Sequence, residues 1–287
     1  MKQSLQSHWP EYLMEAAELG CFMISAGLFT ILLYHPSSTI VRIIPAEFVR
    51  RILIGLAMGL TAIAIIYSPW GKQSGAHINP AVTLTFFRLG KIAPWDAAFY
   101  MIAQFMGGIG GVAIVAAFAK NLLAHPAVNY FATIPGVAGP WKAFVAEAVI
   151  SFVLLLMVLF VSNQPKVARF TGVSAGACVA LFIIFESPLS GMSMNPARTF
   201  GSALFPQLWN SLWIYFTAPV IAMLFAAQLF PLLKGRVFCA KYHHQNNYRC
   251  IFCEYQVRQN ELKPSHELAP GNRFSAPARV TDLKTDL

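Results

Sequence analysis

Two short stretches set polar chemistry inside strongly apolar sequence: Ser74-Gly75-Ala76-His77-Ile78-Asn79-Pro80-Ala81 and Gly191-Met192-Ser193-Met194-Asn195-Pro196-Ala197-Arg198. Asn is a favoured helix N-cap, and Pro fits the first helical position because its missing N–H would have no intrahelical partner anyway. Each stretch should therefore start a helix. About ten mostly apolar residues follow (81–89 and 197–204), too few to cross a hydrocarbon core of roughly 30 Å. Polar backbone at that depth is tolerated only where it packs in protein or lines a wet cavity. Two facing half-helices thus imply a lumen, with about half a positive charge at each N-terminus. If Asn79 and Asn195 cap with their side-chain oxygens, their NH₂ groups remain as donors. Such donors hold a water by its oxygen, and the positive field opposes hydronium and metal cations.

Four further groups could act beside these stretches. Arg198 directly follows Asn195-Pro196-Ala197 and would be costly unpaired in a membrane. Glu147, near the start of a span with the hydroxyl of Ser151 four residues on, needs donors that a re-entrant loop can supply. His77 precedes Asn79 by two residues and reads as a structural histidine. The tail carries Cys239-x₃-His243-His244-x₅-Cys250-x₂-Cys253. Cys239, His243, Cys250 and Cys253 suit a tetrahedral Zn²⁺ site, structural or regulatory because no position stays open. The alternative is a basic, aromatic segment lying on anionic lipid with free thiols.

The elements that must position these groups are apolar helices. Hydrophobic residues make up 56% of the 287 and charged residues 11%, with mean hydropathy +0.56. A soluble chain would carry about a quarter charged residues, so this is an integral membrane protein. Six segments are long enough to span: about 12–34, 48–67, 95–118, 141–162, 168–185 and 212–233. The order span, span, half-helix, span occurs twice, in repeats of about 11–120 and 141–233. Three crossings per repeat force the second copy to enter from the opposite side, an inverted repeat of a kind that transport proteins use. Gly55-xxx-Gly59, Gly107-xxx-Gly111 and Gly172-xxx-Gly176 predict close helix packing.

The net charge of +9 sits on Lys and Arg spread over loops and tail, without a nucleic-acid-binding motif. With both termini inside, 15 of the 21 Lys and Arg residues fall on the inner side. That bias places the termini in the cytoplasm, with Arg50-Arg51 running against it. The resulting division is a cytoplasmic N-terminus (1–10), a channel domain (11–233), a Cys/His-containing basic tail (234–255) and a disordered C-terminus (256–287).

In this setting the doubled Asn-Pro-Ala motif resembles the major intrinsic protein family, the aquaporins and glycerol facilitators, over about residues 11–233. The resemblance implies an all-α, aquaporin-like inverted repeat of six transmembrane helices plus two re-entrant half-helices, one pore per subunit, and a homotetramer. It implies that Arg198 stands in a narrow outer filter, and that Glu147 braces a re-entrant loop with Glu15 or Glu18 as its counterpart. Met58, Ile183 and Met192 fall where water-selective members carry Phe, His and a small Thr or Cys. The filter is therefore more apolar than usual, and adjustable because Met is flexible. Thr199, Ala203 and Tyr215-Phe216 instead match the water-channel branch.

The expected function is a passive channel for water with other small uncharged solutes, excluding protons and ions, in the plasma (inner) membrane and with no required cofactor. The alternatives are a facilitator of glycerol, hydrogen peroxide or another small neutral solute, and a membrane scaffold with a vestigial pore and a partner-binding tail. No nucleophile–base set, nucleotide loop or redox motif points to an enzyme.

Overall fold

The computed structural model describes residues 1–233 and 235–261, and their regular structure is helical, with no strand among them. In chain order the α-helices are α1 (Lys2–Tyr34), α2 (Thr39–Ile43), α3 (Glu47–Tyr67), α4 (Pro69–Ser74), α5 (Pro80–Arg88) and α6 (Pro94–Leu123). They continue with α7 (Pro140–Ser162), α8 (Thr171–Phe185), α9 (Ser187–Ser190), α10 (Pro196–Leu204), α11 (Leu212–Leu232) and α12 (Ile251–Glu261). Six of these, α1, α3, α6, α7, α8 (with the preceding turn from Ala168) and α11, are long and apolar enough to cross a membrane. Prolines at the first helical position open α4, α5, α6, α7 and α10, where a missing N–H costs nothing.

Helix pairing follows the glycines. The most extensive contacts join α1 to α6, α3 to α8 and α7 to α11. A Cβ on Gly59 would lie 2.6 Å from the Gly176 carbonyl oxygen, and one on Gly111 2.5 Å from that of Gly20. Small residues let backbones touch where lipid offers no hydrophobic drive for association. Of the six predicted glycines, Gly55, Gly59, Gly107, Gly111 and Gly176 meet a neighbouring backbone in this way, and Gly172 meets Ile66 and Tyr67.

The two ends of the chain differ from expectation. Residues 1–10 are not a separate unit: α1 starts at Lys2 and runs through Pro10. Its first turns are tied to α6, because Tyr12 donates to Asp96 (2.6 Å) and His8 lies 2.9 Å from the same carboxylate. At the other end the boundary at 255/256 falls inside α12, so 256–261 are helical rather than disordered. The expected disorder of 262–287 lies outside the described residues.

The tail itself is part of the core. After α11 the chain folds back against the channel, burying Cys239, Ala240, Lys241 and Tyr242 together with Ile251 and Phe252. All of these but Lys241 join one apolar cluster with Ile66, Ala76, Phe86, Tyr100 and Phe230. The contacts of this segment include Lys72, Asn163, Pro165 and Ser7. The N-terminus, α4, the connection after α7 and the tail therefore share one end of the bundle.

Candidate functional site

The loops that feed α5 and α10 have backbones no ordinary turn would adopt. α4 ends at Gly75 (φ 103°) and α9 at Gly191 (φ 79°), left-handed positions that glycine enters freely. Beyond them Ala76, Ile78, Met192 and Met194 also have positive φ (55°, 42°, 50° and 56°). For a β-branched residue such as Ile78 this is a genuine outlier, and it persists only where the surroundings over-determine it.

Buried carboxylates supply that determination. Glu15 accepts the N–H groups of His77 (2.8 Å) and Ile78 (2.6 Å). Glu147 accepts those of Ser193 and Met194 (both 2.7 Å), together with the Ser190 hydroxyl (2.7 Å). Glu15 is therefore the counterpart of Glu147. Glu18 takes the Ser74 hydroxyl instead (2.9 Å), so two acids in the first repeat share what one does in the second. Ser151 makes no bond to Glu147, and its buried hydroxyl has no partner among the described residues. Tyr100 and Tyr215 donate to the carbonyls of Ser74 and Ser190, the same brace in each half.

The half-helices then begin as expected. Asn79 caps α5 by accepting from Ala81 N–H (2.9 Å), and Asn195 caps α10 by accepting from Ala197 (3.0 Å) and Arg198 (3.2 Å). The amide groups are not both free, however. Asn79 donates to the Met194 carbonyl and Asn195 to the Ile78 carbonyl, each at 2.7 Å, so the loops are hydrogen-bonded crosswise. An NH₂ group carries two hydrogens, which leaves one on each Asn.

Both Asn residues line a cavity of about 250 Å³. Met58, Ile183, Met192 and Arg198 lie in its wall, with His77 and Tyr242 in the wall as well. Glu15, Glu18 and Glu147 are fully buried behind the loops and do not line it. Among the described residues the Arg198 guanidinium has one side-chain bond, a long one to Ser202 (3.4 Å), and sits 5.7 Å from the Phe131 ring centroid. Most of its donors therefore stay available to whatever occupies the cavity.

Comparison with known proteins agrees with this geometry. The family model described as major intrinsic protein matches residues 6–230. The chain belongs to this family. Its members are channels, not enzymes. Curated relatives include "Aquaporin NIP2-1" of Oryza sativa subsp. japonica, 37% identical over 62% of this chain and 58% of that one. "Aquaporin NIP2-3" of Zea mays is 34% identical over 75% of this chain and 70% of its own length. The chain spans somewhat under two thirds of the first of these relatives. Among solved structures, the aquaglyceroporin from Plasmodium falciparum has a TM-score of 0.64 at 20% identity, covering 79% of this chain and 99% of that one. This last likeness shows the fold alone.

Within the family frame, three placements went beyond the motif. Phe131, in the long connection before α7, lies under Arg198 and carried no sequence signal. Gln104, in the middle of α6, donates to Glu15 (2.8 Å) and Thr83 (3.0 Å); a polar amide in an apolar span was the signal available. His77 holds Thr83 through Nδ1 (3.0 Å) and the tail's Ala240 carbonyl through Nε2 (2.9 Å), with Phe252 stacked on its ring at 5.4 Å. His77 thus joins the loop to the tail.

The tail cluster needs one correction. Cys239, Cys250 and Cys253 converge with His244, not His243, their ligand atoms all within 4.8 Å of one another. The His243 ring packs edge-on against Tyr67 at 5.2 Å, and its buried Nδ1 has no partner among the described residues. Hydrogen bonds with Cys239 and Cys253 hold the Cys250 thiol well below its ordinary value, and hydrogen bonding with Cys250 and Cys253 pushes His244 up to about 10.

Proposed function

We propose that the chain is a passive channel for water and small uncharged solutes that excludes protons and ions. The observation that carries this reading is one cavity joining the crosswise-bonded Asn79 and Asn195 to the open guanidinium of Arg198. The half-helix N-termini and Arg198 put positive potential along the path, which works against cations. The remaining amide hydrogens orient a water or hydroxyl by its oxygen and interrupt a proton wire.

A specific observation favours a second reading, preferential conduction of a small neutral solute. Met58, Ile183 and Met192 line the same cavity as Arg198, so it offers both a charged donor and apolar side chains. A glycerol-like molecule presents hydroxyls to the arginine and its carbon edge to the thioethers. The names of the curated relatives, aquaporins of Oryza sativa and Zea mays, support a channel under either reading. Stopped-flow swelling and shrinking of proteoliposomes under sucrose, glycerol and peroxide gradients separates them. Water flux no faster than bare lipid, with intact solute flux, would sink the first reading.

The sided excess of Lys and Arg supports both termini on the cytoplasmic face of the plasma (inner) membrane, and membership of the family supports a homotetramer. Cysteine-accessibility labelling and mass measurement in native membrane discs test these two assignments.

A further inference from the structure

The tail contains a second site that the conduction path does not require. Residues 235–250 hold no helix or strand, yet their middle is as buried as any part of the bundle. The side chains that converge there are the usual ligands of one ion. Cys239 and Cys250 sulfurs lie 3.4 Å apart, Cys239 and Cys253 sulfurs 3.8 Å, and His244 Nε2 is 3.1 Å from the Cys253 sulfur. A tetrahedral Zn²⁺ at ordinary bond lengths sets its ligand atoms roughly 3.5–3.8 Å apart. Three of the six ligand-atom separations thus stand within about half an ångström of that arrangement, and none of the six exceeds 4.8 Å.

The surroundings fit the ion as well. The Lys241 N–H points to the Cys239 sulfur at 3.5 Å. Cys250 immediately precedes α12 and Cys253 lies in its first turn, where free N–H groups favour thiolates. Three thiolates around Zn²⁺ leave one net negative charge. The Lys241 ammonium, only 2% exposed and held by the Lys72 (2.7 Å) and Arg249 (2.6 Å) carbonyls, is the buried cation of this segment. A disulfide would satisfy two of the sulfurs and leave His244 without a role.

The stretch that these ligands bracket reaches the cavity. Tyr242 donates its N–H to the Gly75 carbonyl (3.2 Å), directly beneath the first re-entrant loop, and its side chain lines the same cavity as Asn79. We propose that Cys239, His244, Cys250 and Cys253 bind Zn²⁺, and that the ion clamps the tail under the first loop with Tyr242 closing the inner end of the conduit. The ligand site stands independently of the channel reading; the closing role rests on it.

Metal analysis of the full-length protein purified from zinc-replete cells is expected to give one zinc per chain. Cobalt exchanged into the site should show the visible bands of a tetrahedral three-sulfur centre. Cys250→Ser and His244→Ala should lose these bands and His243→Ala should keep them. An intact chain without zinc, or with a Cys239–Cys250 disulfide under non-reducing mass spectrometry, overturns the site. In proteoliposomes a membrane-permeant zinc chelator should raise flux several-fold, reversed by added Zn²⁺, which removes misfolding of a variant as a cause. Tyr242→Ala should raise flux to the same level with zinc still bound. Unchanged flux after zinc loss overturns the clamp. If wild type, chelated protein and Tyr242→Ala all fail to conduct, it is the channel reading that fails, and metal content alone then decides the site.

Discussion

The two re-entrant loops carry nearly the same hydrogen bonds and use them differently. Position for position, 116 residues apart, Ser74 matches Ser190, Gly75 matches Gly191 and Asn79 matches Asn195. Each loop gives two N–H groups to a buried glutamate and one carbonyl to the other's asparagine. The differences lie where this framework does not reach. At the position equivalent to Arg198 the first half has Val82, and both line the cavity. At the position equivalent to His77 the second half has Ser193, whose hydroxyl turns inward to Thr199 and the Asn195 carbonyl. Both residues bond the equivalent threonine, Thr83 or Thr199, but His77 carries a second ring nitrogen that the tail's Ala240 carbonyl answers, while Ser193 turns back to its own loop. The duplicated framework sets the backbone, and single side chains set the halves apart, with His77 bonded to the tail and Arg198 lining the cavity.

The comparison breaks most readily at the glutamates. Removing Glu147 or Glu15 by alanine leaves two buried N–H groups of a strained loop without acceptors, a cost of about 2–5 kcal/mol. Thermal unfolding in detergent should show both variants strongly destabilised. A much milder Glu15→Ala would mean that Glu18 takes over, and that the halves are not equivalent in strength.

Arg198→Ala should raise cation or proton leak about tenfold or more, since one charge a few ångströms from the path is worth roughly 4 kcal/mol at an effective dielectric of 20. Val82→Ala should leave the leak unchanged. Conductance and pH-dye measurements on proteoliposomes read both, and equal effects would dissolve this difference between the halves. Next come the caps: Asn79→Ala and Asn195→Ala should each cost about 1 kcal/mol through lost N-capping, checked as equal shifts in melting. The smallest effect concerns the tail surface. Arg249 holds the exposed Glu254 carboxyl below its ordinary value (2.8 and 2.9 Å). That contribution is present above the ordinary glutamate range and is lost as pH falls through the lowered value. Glu254→Gln should change tail protection in hydrogen exchange at neutral pH by less than about 1 kcal/mol.

Much of this arrangement was legible in the residues. Asn-Pro at a helix start, doubled inside apolar sequence, located α5 and α10 to within a residue, because capping is local chemistry. The spans followed from apolar length, and the glycine pairs from the need for close backbones. What stayed open depended on distant partners. Choosing between Glu15 and Glu18 required knowing which turn of α1 faces the loop, and one helical turn separates them. Choosing His244 over His243 required the path of a segment with no periodicity. The docking of the tail was hidden because its buried residues, Ala240 to Tyr242 and Phe252, are scattered among charges. Apart from Phe230, the apolar partners named above (Ile66, Ala76, Phe86 and Tyr100) lie more than a hundred residues away.

The crosswise bonds between the loops also bear on how the protein is made. Asn79 emerges from the ribosome 115 residues before the Met194 carbonyl that it must find. At ordinary synthesis rates that gap lasts roughly 6–23 s. Throughout it the first half waits in the bilayer with an asparagine amide and the Ile78 carbonyl unmatched. Neither loop can close by itself, so completion of the midplane is the moment at which the two halves become one folding unit. A chain interrupted before residue 194 is an open structure, available to membrane quality control.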